Sequence, residues 1–145
     1  MILANKNLFG VTENSEELDE NKSDLFHSIV AKLLFVAKRA RPDIETAVAF
    51  LFTRVSKSTE KDWLKLWRIL GFLKSTINDV RIIGARSLQE IYAWIDMAYG
   101  VHNIDMRSHT GGIMSLGFGY VHQKYFKQKL NVKSSTEAEI VGSSE

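Results

Sequence analysis

The hydrophobic residues change period once along the chain, near Asn78-Asp79, and that change restricts the fold more than any other feature. Before it, Phe26, Ile29, Val30, Leu33, Leu34 and Val36 recur at helical spacing, as do Ile44, Ala47, Val48, Leu51, Phe52 and Val55, and then Trp63, Leu66, Trp67, Leu70 and Leu73. After it come glycines and short runs of β-branched and aromatic residues, with strict alternation over Ile91 to Asp96. The pattern predicts a mixed α/β (α+β) chain: three packed helices, then antiparallel strands, then a closing helix. With 145 residues, 45% of them hydrophobic, the chain is long enough for one ordinary domain or two small ones.

Local signals set the expected boundaries. The first helix is expected over 24–39, with Asp24 in its N-terminal turn, and Pro42 opens the second. The third starts near Thr59, where Asp62 makes an imperfect capping box. Strands are expected at 80–84, 89–96, 110–118 and 120–126, the last two joined through Gly117 and Gly119, and a final helix opens between Ser134 and Thr136. Residues 1–22 are acidic and aperiodic, which reads as a loop or tail. Three segments follow: 1–22, a helical segment 23–77 and a strand-rich segment 78–145.

Charge and composition narrow the function classes. The net charge of +2 is too mild to identify a partner. Its distribution says more: six acids stand against one lysine between Glu13 and Asp24, whereas Lys124, Lys127, Lys129 and Lys133 follow one another without an acid. Interleaved with Tyr125 and Phe126, those lysines suit a surface that tracks a nucleic-acid backbone, and equally a solvated strand. The absence of cysteine excludes disulfides and thiolate zinc sites. No apolar run approaches the roughly 20 residues that span a bilayer, and no secretory signal opens the chain. An intracellular protein, cytoplasmic or nuclear, with no membrane partner is expected.

Candidate chemistry rests on carboxylates. Asp96 closes the alternating strand, and Glu137 and Glu139 lie on the first turn of the last helix; folding that joined them would create a place for a divalent cation. Each has a structural reading too. Asp96 suits the start of a turn toward Gly100, and Ser134 with Glu137, or Thr136 with Glu139, fits a capping box. His102, His109 and His122 share no metal-ligand spacing and read as turn or surface residues, while Trp63 and Trp67 read as core. Lys38, Arg39 and Arg41 suit either phosphate contacts or the C-terminal dipole of their helix, and Gly111-Gly112 reads as a requirement of backbone geometry.

The order of these signals resembles the ribonuclease H region of copia-type retrotransposon polyproteins. The family's Asp-x-Arg/Lys-Ser-x-Ser/Thr-Gly element stands here as Asp105-Met106-Arg107-Ser108-His109-Thr110-Gly111. Its Lys-Gln segment leading into Ser-Ser-Thr-Glu-Ala-Glu stands as Lys127-Gln128 through Ser134-Ser135-Thr136-Glu137-Ala138-Glu139. The helical half is similar to the segment joining polymerase to nuclease, from Phe26-His27-Ser28 through Arg39-Ala40-Arg41-Pro42-Asp43. Three positions depart from the pattern: Ile140 replaces an aromatic, Ala98 an acid, and no tryptophan stands near Val121-His122. The resemblance spans roughly residues 24–145.

What the resemblance implies is a reverse-transcriptase connection segment followed by a partial, truncated ribonuclease-H-like domain. In the complete protein the implied reaction is cleavage of RNA in an RNA–DNA hybrid by two-metal hydrolysis with Mg2+. Asp96 would bridge both ions, and Glu139 would hold one and help to orient water. The family's further metal-binding aspartates would lie beyond Glu145, so little hydrolysis is expected from this chain alone. The implied partners are an RNA–DNA hybrid or RNA and the remainder of the Pol polyprotein. The alternative is a catalytically inactive remnant that serves as a nucleic-acid-binding or helical interaction module.

Overall fold

Asp19, not Asp24, opens the first helix in the computed structural model, which describes residues 10, 11, 14–102 and 106–144, His102 by its backbone alone. The Asp19 side chain accepts from the Lys22 N–H at 2.9 Å, and α1 runs over Glu20–Arg39. The expected tail to residue 22 is therefore corrected over its described part. Leu18 is buried and donates to the Ser58 carbonyl, the Glu60 N–H donates to the Glu16 carbonyl, and Glu17 pairs with Thr59. Asp24 offers the same short capping carboxylate further along, which hid the cap at Asp19.

Pro42–Ile44 form one 3-10 turn, α2 follows over Glu45–Phe52, and α3 runs over Glu60–Ser75. Thr59 and Asp62 make the complete capping box, with both reciprocal bonds present. The three helices enclose Phe26, Val30, Leu33, Ile44, Val48, Phe50, Leu51, Leu66 and Ile69. Trp67 is 57% exposed, which corrects its assignment to the core. The buried stripe of α3 is Asp62, Leu66 and Ile69, and a residue directly after Leu66 lies about 100° away from it. Trp63 is half-buried, meeting Trp67 edge-on and carrying the Lys22 ammonium over its ring.

The cations at the end of α1 serve the fold. Lys38 pairs with the fully buried carboxylate of Glu45. Arg41 donates to Asp43 (2.9 and 2.6 Å) and to the carbonyl and hydroxyl of Thr76 (3.1 and 2.6 Å), so Arg41-Pro42-Asp43 is a turn tied to the end of α3. Its hydrogen bond to Asp43 raises the pKa of the guanidinium.

The second compact unit begins at Val80. The expected strand 80–84 is reduced to β1, Gly84–Ala85, which pairs with β4, Gly117–Phe118. The main sheet is antiparallel in the order β2-β3-β5, with β2 at Tyr92–His102, β3 at Arg107–Ser115 and β5 at Tyr120–Lys127. The expected strand 110–118 is thus split, because Gly117 takes φ +121° and turns the chain away from β3. Gly119 at φ +66° makes the next turn. The last helix, α4, covers Ser135–Ser144 and sets Ala138 and Gly142 inward. Among the described residues no helix is long and apolar enough to cross a membrane.

Candidate carboxylate and basic sites

β2 continues six residues past Asp96, which corrects the reading of this acid as the end of a strand or the start of a turn. Asp96 sits mid-strand opposite Gly111, with Met97 opposite Thr110. Strand alternation puts Ala93, Ile95 and Met97 on one face with Thr110, Gly112 and Met114, and Trp94 and Asp96 on the other with Gly111.

α4 covers the Met97 face. A side chain at Gly142 would meet the Met97 methyl at 2.6 Å and Thr110 Oγ1 at 3.0 Å, and the Gln128 amide nitrogen donates to Thr110 Oγ1 (2.9 Å) and the Ala138 carbonyl (3.1 Å). Asp96 therefore points away from α4, toward the face where Tyr125 crosses Gly111. A Cβ at Gly111 would lie 2.7 Å from the Tyr125 ring, which gives the glycine its reason.

Glu139 is exposed on the first turns of α4. Glu137 is a cap: its N–H donates to Ser134 Oγ at 3.2 Å and its carboxylate accepts from the Lys133 N–H at 2.8 Å. The two elements that carry Asp96 and Glu139 pack on one another, while the Asp96 side chain emerges on the far face of the sheet. Among the described residues no three His, Cys, Asp or Glu side chains gather where they could hold a metal ion. This donor set does not fit a two-ion centre, which needs more carboxylates than two exposed ones on neighbouring elements.

The lysines divide in the same way. Lys124 is opposite Gly112 and Lys127 opposite His109, so the two alternate onto opposite faces of β5. Lys124 lies over the Phe126 ring at 4.5 Å, and Lys129 and Lys133 sit exposed in the connection to α4. On the Asp96 face, Tyr92 and Trp94 stack with centroids 6.2 Å apart and planes inclined by 18°. Tyr92 also donates to Glu90, which raises the pKa of its phenol.

His109 is buried on β3, a correction of its surface reading, whereas His122 is exposed. Asp105 and the His102 side chain lie outside the described residues. The residue that sequence reasoning passed over is Gln128, fully buried and linking β3 to α4. Its only signal was its place in the Lys-Gln element before the terminal helix.

Comparison with known proteins fixes the lineage. No protein-family model matches the chain, and no solved structure matches it. Over 114 residues, 79% of the chain, it is 33% identical to the retrovirus-related Pol polyprotein from transposon RE1 of Arabidopsis thaliana, and 31% identical to that from transposon RE2. The chain is homologous to a segment of transposon Pol polyproteins. A third such polyprotein, from transposon TNT 1-94 of Nicotiana tabacum, is 27% identical over 121 residues. This Pol-related segment spans 8% of the length of each Arabidopsis polyprotein and 9% of the tobacco one.

Proposed function

We propose that this Pol-related segment is the junction of a reverse transcriptase and its ribonuclease H, and that Asp96 and Glu139 are two of the carboxylates that hydrolyse RNA in an RNA–DNA hybrid. The observation that carries the reading is the match to three transposon Pol polyproteins over about four-fifths of the chain. α4 packs on β2 while the Asp96 side chain emerges on the other face of the sheet, so the reading rests on the likeness in sequence and not on this packing. Because two carboxylates do not suffice for an ion pair, hydrolysis belongs to the longer polyprotein, whose further acids would complete the site. Recognition of the hybrid would rest on phosphate and 2′-hydroxyl contacts, with Lys124, Lys127, Lys129 and Lys133 as the candidate cations.

The test uses a labelled RNA–DNA hybrid with magnesium. The chain alone should give background-level products, identical to those of an Asp96→Asn, Glu139→Gln variant. A Pol polyprotein carrying this segment should cleave the RNA strand and lose at least a hundredfold in rate when Asp96 becomes Asn. Unchanged cleavage in that variant would remove Asp96 from the site and the nuclease reading with it.

A further inference from the structure

One amide and one sulfur meet where α4 lies on the sheet. Met97, half-buried on β2, has its methyl 2.6 Å and its sulfur 3.1 Å from the place of a Cβ at Gly142, so only a bare glycine lets the helix lie there. The Gln128 amide nitrogen has three acceptors around it: Thr110 Oγ1 at 2.9 Å, the Ala138 carbonyl at 3.1 Å and the Met97 sulfur at 3.7 Å. An amide carries two N–H groups, and a thioether is a weak acceptor. The two N–H groups therefore serve Thr110 and Ala138, and the sulfur does not compete for them. That balance holds only while the sulfur stays a thioether.

We propose that Met97 is a redox-sensitive latch on α4, released when a hydroperoxide oxidises its sulfur. The thioether sulfur attacks the peroxide O–O bond and takes up one oxygen; the sulfur loses two electrons, the peroxide gains them, and hydrogen peroxide leaves as water. The sulfoxide oxygen is a strong acceptor, so three such acceptors then surround two N–H groups at a residue that is fully buried. Turning the Gln128 amide over brings no relief, because its oxygen would then face the Ala138 carbonyl. The contact with Gly142 leaves no room for an added oxygen on the helix side either. The element that gives way is α4, ten residues long, whose buried residues are Ala138 and Gly142 and which is held by little apolar area.

The chain has no cysteine, so its methionines are the sulfurs it offers to a peroxide. Met97 is half-buried, open to a molecule as small as hydrogen peroxide, while Met106 and Met114 are exposed. The latch operates whether or not the segment belongs to a nuclease.

The full chain is treated with hydrogen peroxide until mass spectrometry of its peptides shows one added oxygen on Met97, and its amide exchange is compared with that of the untreated chain. Exchange in α4 should quicken at least tenfold and exchange in α1 and α3 should not change. The two methionine sulfoxide reductases, each acting on one sulfoxide epimer, should restore the slow exchange. Met97→Leu keeps the volume without the sulfur, so α4 should exchange as in the native chain before and after peroxide, although Met106 and Met114 still take up oxygen. In Gln128→Leu, where the contested amide is gone, peroxide should quicken α4 exchange by a smaller factor than in the native chain. A Met97 that peroxide leaves unoxidised in the folded chain, α4 exchange indifferent to the added oxygen, an equal response in Met97→Leu, or an undiminished one in Gln128→Leu would each overturn the proposal.

Discussion

The two units are closed in different ways. Among the described residues the helical unit buries Phe26, Val30, Ile44, Val48, Phe50 and Leu51 at no measurable exposure, while in the second unit the buried hydrophobics are Val132 and Ala138 alone. The interior of the second unit is polar instead, made of Ser108, His109, Thr110, Ser115, Gln123 and Gln128. Its large apolar side chains, Trp94, Ile95 and Phe118 among them, face outward. Area removed from water drives the first unit together, at about 25 cal/mol per Å². The second depends on its ladder and on directed hydrogen bonds, each worth only about 1 kcal/mol net. Two parts of one chain thus divide the two principal sources of stability between them.

The sharpest way to break this comparison is to cut matched holes in both units. Phe26→Ala should cost about 3–5 kcal/mol in urea unfolding, because the site is sealed on all sides. Ile95→Ala, removing a side chain that is half exposed, should cost below about 1 kcal/mol under the same conditions. A comparable loss at both positions would mean that the sheet is covered in solution by something bound to it.

Smaller effects should come from the hydrogen bonds and close contacts of the second unit. Gly111→Ala sets a methyl 2.7 Å from the Tyr125 ring, and displacing that ring should cost about 1–3 kcal/mol. Adding Tyr125→Ala should erase most of the difference between Gly and Ala at position 111, which a double-mutant cycle reads directly. Gln128→Leu keeps the volume but leaves Thr110 Oγ1 and the Ala138 carbonyl without this donor, again for about 1–3 kcal/mol. The loss should be visible as faster amide exchange in α4. Unchanged exchange there would show that the helix is held by Met97 and Gly142 without the glutamine.

In the helical unit, Thr59→Ala removes the capping hydroxyl and should cost about 1 kcal/mol, with thermal unfolding as the readout. That cap was legible because Thr59 and Asp62 are three residues apart ahead of an apolar stripe, and the end of α1 at Arg39 was legible where its apolar spacing stops ahead of Pro42. The Asp19 cap was not, since Asp24 offers the same short carboxylate at a second position. In the second unit the alternation of Ile91 to Asp96 read correctly, yet it could not tell where β2 ends. Met97, Ala98 and, past a break in register, His102 pair with β3 through tertiary contacts that leave no periodic trace, and this moved Asp96 from a strand end to its middle. His109 and Trp67 exchanged their expected places because burial depends on which face a neighbour covers. The candidate site was legible in its residues and their order through the resemblance to copia-type polyproteins; the direction in which Asp96 points needed the register.

The smallest effect concerns Lys65, and it tests whether the helical unit is as tightly sealed as its apolar core implies. The Lys65 ammonium lies over the Phe50 ring at 4.5 Å and donates to the Gly10 carbonyl at 2.6 Å. Burial lowers its pKa from 10.5, with nearby Asp62 opposing the shift and Arg54 adding to it. A base whose folded pKa lies below its unfolded one holds fewer protons when folded, so stability rises with pH across the interval between the lowered value and 10.5. Lys65→Met abolishes that contribution. The difference in urea stability between the native chain and this variant should therefore shift in favour of the native chain as pH increases through the interval. Tyr92 titrates nearby with the opposite sign, because its raised pKa makes the folded state hold the phenolic proton more strongly. Performing both measurements in a Tyr92→Phe background removes that contribution. A difference that stays flat with pH would mean that water reaches the Lys65 ammonium as freely in the folded chain as in the unfolded one.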